Sequence, residues 1–291
     1  MCDDFTEAAE DEALAGKGLS RRDFAALGAA AAIVACSGGE GEAKAAGSVT
    51  ERMVDVPTPD GSCDAFFVHP ARAAHAGVIF LPDIGGLREA KKVMARRLAA
   101  AGYAVLAVNP YYRDMRAPVL SSFAEWRTPK GQATIEPMRA KLTAPAVSRD
   151  IVAFAAFLDR QKAVDKQRKI GVQGYCMSGP FALRGAAALP HRIGAAASFH
   201  GGGLVTAEAD SPHRLIAASA ASFLIAIAKN DDARAPGDKD ALREAAAAAG
   251  RPAEIEVYNA DHGWCVLDSP VYNQAEADRA WARLLALYAK L

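Results

Sequence analysis

The sequence predicts an α/β domain: a mostly parallel sheet of about eight strands, with helices on both faces and an N-terminal hairpin. Three observations predict it. Short runs that are apolar throughout, not alternating, recur along the chain, as strands covered on both faces do. Segments with apolar residues at helical spacing separate them, which is what the crossovers of a parallel sheet require. The 291 residues, 51% of them apolar and 23% charged, suffice to bury such a sheet.

The hairpin comes first. From Val49, apolar and polar residues alternate through VTERMVDVPT, the turn PDGS follows, and CDAFFVHP (63–70) returns as its partner. AGVIFLPD (76–83) is the first fully apolar run, and LREAKKVMARRLAAAGY after it has helical spacing. AVLAVNPY (104–111) is the next strand, followed by a long irregular segment and a helix near 146–162. KIGVQGY (169–175), IGAAASFHG (193–201), SFLIAIAKN (222–230) and AEIEVYN (253–259) complete the strands. Helices are expected over Pro236–Ala249 and Asn273–Lys290. There is no internal repeat, so 49–291 reads as one domain.

Residues 1–48 stand apart. Lysine plus arginine equals aspartate plus glutamate at 34 each, yet residues 1–36 carry −4 and the remainder +4. No global field is left to attract nucleic acid. Ser20-Arg21-Arg22-Asp23-Phe24 precedes the uncharged stretch Ala25–Ala35, too short to span a bilayer and similar to a twin-arginine export signal. Ile33-Val34-Ala35-Cys36 also resembles a lipoprotein box, so membrane attachment is expected only if Cys36 is lipidated. The expectation is an export signal and linker over 1–48 and a periplasmic protein, the alternative being a cytoplasmic one with an uncleaved tail. The five cysteines (2, 36, 63, 176, 265) are odd in number and form no C-x-x-C pair.

In parallel sheets, functional groups gather where strands end at their carboxyl edge. Asp83, Asn109, Cys176, His200 and Asp231 all fall at or just after expected strand ends. Gly174-Tyr175-Cys176-Met177-Ser178 has the pattern of a nucleophile elbow, in which small neighbours permit a sharp turn and the following helix N-terminus favours a thiolate and an oxyanion. A thiol with a pKa of about 8.5 still needs a base. His262, on the loop after the last strand and followed by Gly263, is the candidate. The acid that orients it should follow the preceding strand, where Asp231 and Asp232 both stand, Asp231 directly at the strand end. His69, His75, His191 and His213 show no ligand spacing, so no metal and no cofactor are expected.

These motifs resemble those of the dienelactone hydrolase (carboxymethylenebutenolidase-like) family of the α/β-hydrolase superfamily, from about Val54 onward. GYCMSGP is similar to its nucleophile motif, AKND with a following proline to its acid motif, and ADHGW to its histidine motif. The resemblance implies the α/β-hydrolase fold, a Cys176-His262-Asp231 triad, and oxyanion donors at the Ile84 and Met177 N–H groups. It implies an acid at Asp83 that modulates the thiol, aspartate standing where the best-known members have glutamate. Arg113, with Tyr112 beside it, matches a substrate-carboxylate arginine, and His200 falls where the family has a tyrosine. A second carboxylate-binding arginine past the histidine is missing from HGWCVLDS. The expected activity is hydrolysis of small esters or lactones by a monomer or small homo-oligomer. The alternatives are a thioesterase or esterase of the same fold, its lid formed by 113–145, and a non-catalytic envelope binding protein.

Overall fold

The computed structural model describes residues 4–17 and 48–291. Arg21, Arg22 and Cys36, on which the export and lipidation expectations rest, lie outside the described residues. Helix α1 (Asp4–Gly16) packs on the body through the buried Leu14, while Arg127 pairs with Glu10 at 2.8 Å and Lys17 Nζ donates to the Pro270 carbonyl at 2.8 Å. Among the described residues, no helix is long and apolar enough to cross a membrane.

The hairpin is β1 (Val49–Thr58) and β2 (Gly61–Pro70), in register Val56↔Cys63. Then come β3 (Gly77–Leu81), α2 (Glu89–Ala100) and β4 (Ala104–Val108). The irregular segment contains two helices, the short α3 (Phe123–Trp126) and α4 (Pro129–Arg139), whose first turn is capped by Thr128 Oγ1 accepting from the Gly131 N–H at 3.0 Å. After them run α5 (Ala144–Asp159), β5 (Ile170–Tyr175), α6 (Gly179–Ala188), β6 (Ile193–Phe199), α7 (Pro212–Leu215) and β7 (Ser222–Ala228). The chain ends with α8 (Lys229–Arg234), α9 (Asp238–Ala248), β8 (Ala253–Tyr258) and α10 (Gln274–Tyr288).

The eight strands form one sheet in the order β1-β2-β4-β3-β5-β6-β7-β8. β2 is antiparallel to both β1 and β4, and every pairing from β4 through β8 is parallel. Pleating sends alternate residues to opposite cores: Ile79 and Leu81 meet α5 and α6, whereas Val78 and Phe80 meet α2 and α10. Each such side chain, fully buried, contributes about 1.5–3 kcal/mol. That two-sided burial is why the strands read as unbroken apolar runs.

The strand order has a consequence for function. After β3 the chain moves to β4 on one side, whereas β5 begins the march to the other, so the connections diverge at the β3/β5 boundary. The crevice at the carboxyl ends of those two strands is where ligands of such sheets bind. Here it receives the Asp83–Ile84 turn and Cys176.

Candidate active site

β5 ends in a sharp turn. Cys176 has φ +52° in a single 3₁₀ turn, Cys176–Ser178, that leads directly into α6. A non-glycine residue held in this left-handed region costs on the order of 1–3 kcal/mol, sustained by its surroundings. Gly174 is obligatory, because a Cβ there would sit 1.9 Å from the Ser178 carbonyl oxygen. Ser178, which replaces the usual second glycine, donates its hydroxyl to the Pro82 carbonyl at 2.5 Å and so ties the elbow to the end of β3.

His262 reaches the same place from the loop after β8. Its backbone N–H donates to Asn230 Oδ1 at 2.9 Å, and its Nδ1 lies 2.7 Å from Asp231 Oδ2 in the first turn of α8. A carboxylate only accepts, so Nδ1 carries the proton and Nε2 is left for the thiol. Asp232 points elsewhere, to Lys239 Nζ at 2.8 Å. Sγ of Cys176 and one ring nitrogen each of His200 and His262 lie within 4.8 Å of one another. Burial alone would push the His262 imidazole down, but the attraction of Cys176, and then of Asp231, raises it to about 10. These partners favour a thiolate–imidazolium pair.

The other described cysteines differ. Burial pushes the Cys265 thiol up to about 12 and that of Cys63 higher still, which makes both inert packing groups at neutral pH.

His200, expected to line the substrate site, stands beside the thiol itself. It follows β6 with φ +41°, its ring centroid 4.6 Å from that of His262 and 5.3 Å from that of Trp264. Cys176, His200 and His262 are all at most 2% exposed. They also form the grouping, among the described residues, whose atom types could hold a metal ion. A soft divalent ion there would bind the thiolate and block its chemistry.

Asp83 is placed differently from the expected thiol partner. Its oxygens receive Arg88 Nη1 at 2.7 Å, Lys91 Nζ at 2.6 Å and the Gly85 N–H at 2.9 Å. Burial opposes its ionisation, but Arg88 and then Lys91 hold the carboxyl below the usual range. Arg88 also pairs with Asp268 at 2.7 Å, and Asp268 accepts the Phe123 N–H at 2.9 Å, so this network joins the Ile84 turn, α3 and the loop beyond His262. Met177 follows Cys176 in the chain and packs against the cluster that holds Ile84. Tyr111 donates its hydroxyl to the Ile84 carbonyl at 2.7 Å and lies 3.8 Å from the Met177 sulfur. Leu120, Phe123 and Trp126, from the 113–145 segment, pack with Ile84 and Met177 in one apolar cluster.

Arg113 and Tyr112 are held to the hairpin and α5. Arg113 pairs with Asp60 at 2.7 Å and with both Asp150 oxygens at 2.9 Å, and its guanidinium lies over the Tyr112 ring at 4.6 Å. Tyr112 donates to Asp150 at 2.7 Å and shares a 2.8 Å hydrogen bond with Thr58. Two aspartates pair, through Nε and Nη2, with the charge that was expected to meet a substrate carboxylate, and Nη1 is buried with no partner. Sequence reasoning missed the buried Arg88–Lys91–Asp268 network and Asn230. The two cations look like ordinary helix-surface residues, and nothing in their spacing marks them as buried.

Comparison with known proteins agrees with this architecture. The chain is 25% identical over 250 residues, 84% of its length, to a provisionally named carboxymethylenebutenolidase of Salmonella typhi, covering 88% of that protein. It is 26% identical over 236 residues, 79% of its length, to a like-named protein of Methylorubrum extorquens, of which it covers 78%. A crystal structure from Klebsiella pneumoniae, provisionally named a dienelactone hydrolase, superposes with a TM-score of 0.73 at 23% identity, over 84% of this chain and 100% of that one. The sequence profile of the dienelactone hydrolase family matches residues 63–291. With the α/β-hydrolase sheet, the chain therefore belongs to the dienelactone hydrolase family, enzymes that hydrolyse carboxylic esters and lactones.

Proposed function

We propose that the protein hydrolyses small uncharged esters or lactones by acyl transfer through Cys176. The observation that carries this reading is the buried line from Asp231 to His262 to the Cys176 thiol, set on a strained elbow at a helix N-terminus. The Cys176 thiolate attacks the acyl carbon, and the carbonyl π pair moves onto oxygen. The Ile84 and Met177 N–H groups receive that oxyanion. On collapse, His262 Nε2 gives its proton to the departing alkoxide, leaving an acyl thioester. His262 then takes a proton from water as it attacks the thioester, and the acid product leaves as the thiolate returns. Asp231 keeps Nδ1 protonated throughout and stabilises the imidazolium.

The pairing of Arg113 with Asp60 and Asp150, together with the apolar cover of Leu120, Phe123 and Trp126, supports an uncharged acyl group over an anionic one. Because the reacting groups are at most 2% exposed, substrate reaches them only when this cover is displaced. That requirement favours selection by acyl length, as in a thioesterase or esterase of the same fold. Asp83 acts on the thiol indirectly, by fixing the turn that presents Ile84. Residues 1–48 serve as an export leader and linker, a reading supported by the paired arginines before an uncharged stretch. A screen of neutral and anionic esters, lactones and thioesters with Cys176→Ser and Cys176→Ala controls tests the proposal. Turnover of neutral esters, lost in Cys176→Ala, is expected; a stable Cys176→Ala protein with full activity contradicts it.

A further inference from the structure

We infer that His200 is a second imidazole partner of the Cys176 sulfur, a neutral ring that donates one N–H to the thiolate and holds it for His262. The inference rests on Cys176 being the nucleophile. Its basis is how the backbone delivers the ring. Three non-glycine residues among the described ones have positive φ: Ala73, Cys176 and His200. The last two terminate β5 and β6, which pair side by side with Tyr175 opposite Phe199. His200 is fixed there by its N–H, which donates to the Ala226 carbonyl at 2.8 Å. The next residue, Gly201, presses on the start of α6: a Cβ would lie 2.3 Å from Ser198 Oγ and 3.0 Å from the Gly179 Cα. β6 thus has an elbow of its own, locked against that of β5.

The ring's polar atoms tell the same story. Neither His200 nitrogen has a hydrogen-bond partner at ordinary distance, although the residue is 1% exposed, and leaving a buried donor unmatched costs about 1–3 kcal/mol. Sγ of Cys176, within 4.8 Å of one ring nitrogen, is the acceptor the ring meets when the thiolate forms. Burial holds His200 below the usual imidazole range, against the pull of Cys176, so its ring is neutral with one donor. The ionisable groups around it are Cys176, His262 and Asp231, with Tyr175 at 6.2 Å between ring centroids and Lys91 Nζ over the far Tyr175 ring at 4.8 Å. Trp264 and Tyr175 fix the ring plane. A second donor stabilises the thiolate over the thiol and widens the pH range in which the nucleophile is ready.

The test follows iodoacetamide labelling of Cys176 by peptide mass between about pH 5 and 10 in wild type, His200→Phe and His200→Gln, with thermal melts as fold controls. In His200→Phe the labelling midpoint should rise by about one pH unit, a roughly tenfold loss of rate on the acid side, and the acid limb of ester turnover should move with it. His200→Gln, which keeps a donor, should restore most of the loss. An unmoved midpoint in a folded His200→Phe protein overturns the inference, as does a His200→Gln midpoint displaced as far as that of Phe. Cys176→Ala separates the two readings: turnover that survives it removes the nucleophile, whereas the labelling series reports on His200 alone.

Discussion

Two clusters of buried ionisable groups sit on the carboxyl edge and flank of this sheet, and they are built in opposite ways. Around Arg113 the charges are paired: Asp60 and Asp150 meet its guanidinium, Arg149 also reaches Asp60, and Tyr112 fills a remaining carboxylate lone pair, although Arg113 Nη1 has no partner. Around Cys176 the matching stops short, with His200 and the His262 Nε2 turned toward a sulfur and lacking oxygen or nitrogen partners. Paired charges hold a fold together. Unfilled valences beside a thiol, kept in place by strain at φ +52° and +41°, are where a reacting molecule can still be received. The family-matching arginine is thus already ion-paired, whereas the histidine in the tyrosine's place stands beside the thiol.

The sharpest way to break this contrast is Cys176→Ala. It should lower kcat/KM for a neutral activated ester by at least about 10⁴-fold while leaving the melting temperature near that of wild type. Asp231→Asn comes next, because an amide no longer fixes the Nδ1–H tautomer; a loss of about 10³–10⁴ in kcat is expected from steady-state kinetics. Arg113→Met should do the reverse. It leaves the buried Asp150 without its cation, Asp60 keeping Arg149, which urea unfolding should register as about 2–4 kcal/mol, and neutral-ester kcat/KM should change only a fewfold. If its main effect is instead a raised KM for anionic lactones, Arg113 belongs to the substrate site.

A smaller effect is expected from pH. The folded-state pKa of His262 is raised from 6.5 to about 10, so the folded protein holds this proton more tightly than the unfolded chain. The stabilisation it brings is complete below the unfolded value near 6.5 and is lost as pH rises through about 10. The gap in melting temperature between wild type and Asp231→Asn should accordingly narrow across that window. A gap that widens with pH would mean that Asp231 does not stabilise the imidazolium.

Much of this architecture was legible in the residues. Apolar runs marked the inner parallel strands because both sheet faces are covered there, whereas alternation marked β1 and the edge strand β8, which leave one side to solvent. The elbow was legible because its geometry admits only small neighbours: Gly174 has no room for a Cβ, and Ser178 fits by bonding Pro82. Partner choice was not legible. Asp83 faces Arg88 and Lys91 across a turn, and Arg113 faces Asp60 and Asp150, 53 and 37 residues away, which meet it only once the sheet has formed. The two helices in 113–145 were also missed, being short and anchored by tertiary contacts through Asp268 and Arg127 rather than by their own periodicity.

The most direct test of the central claim is to trap the covalent intermediate. Rapid acid quench of the protein mixed with an activated acyl ester, followed by peptide mapping, should place the acyl mass on Cys176 in the tryptic peptide 170–184, and Asp231→Asn should prolong its lifetime. An acyl group found on Ser178, or turnover that continues in Cys176→Ala with no adduct, would contradict the account.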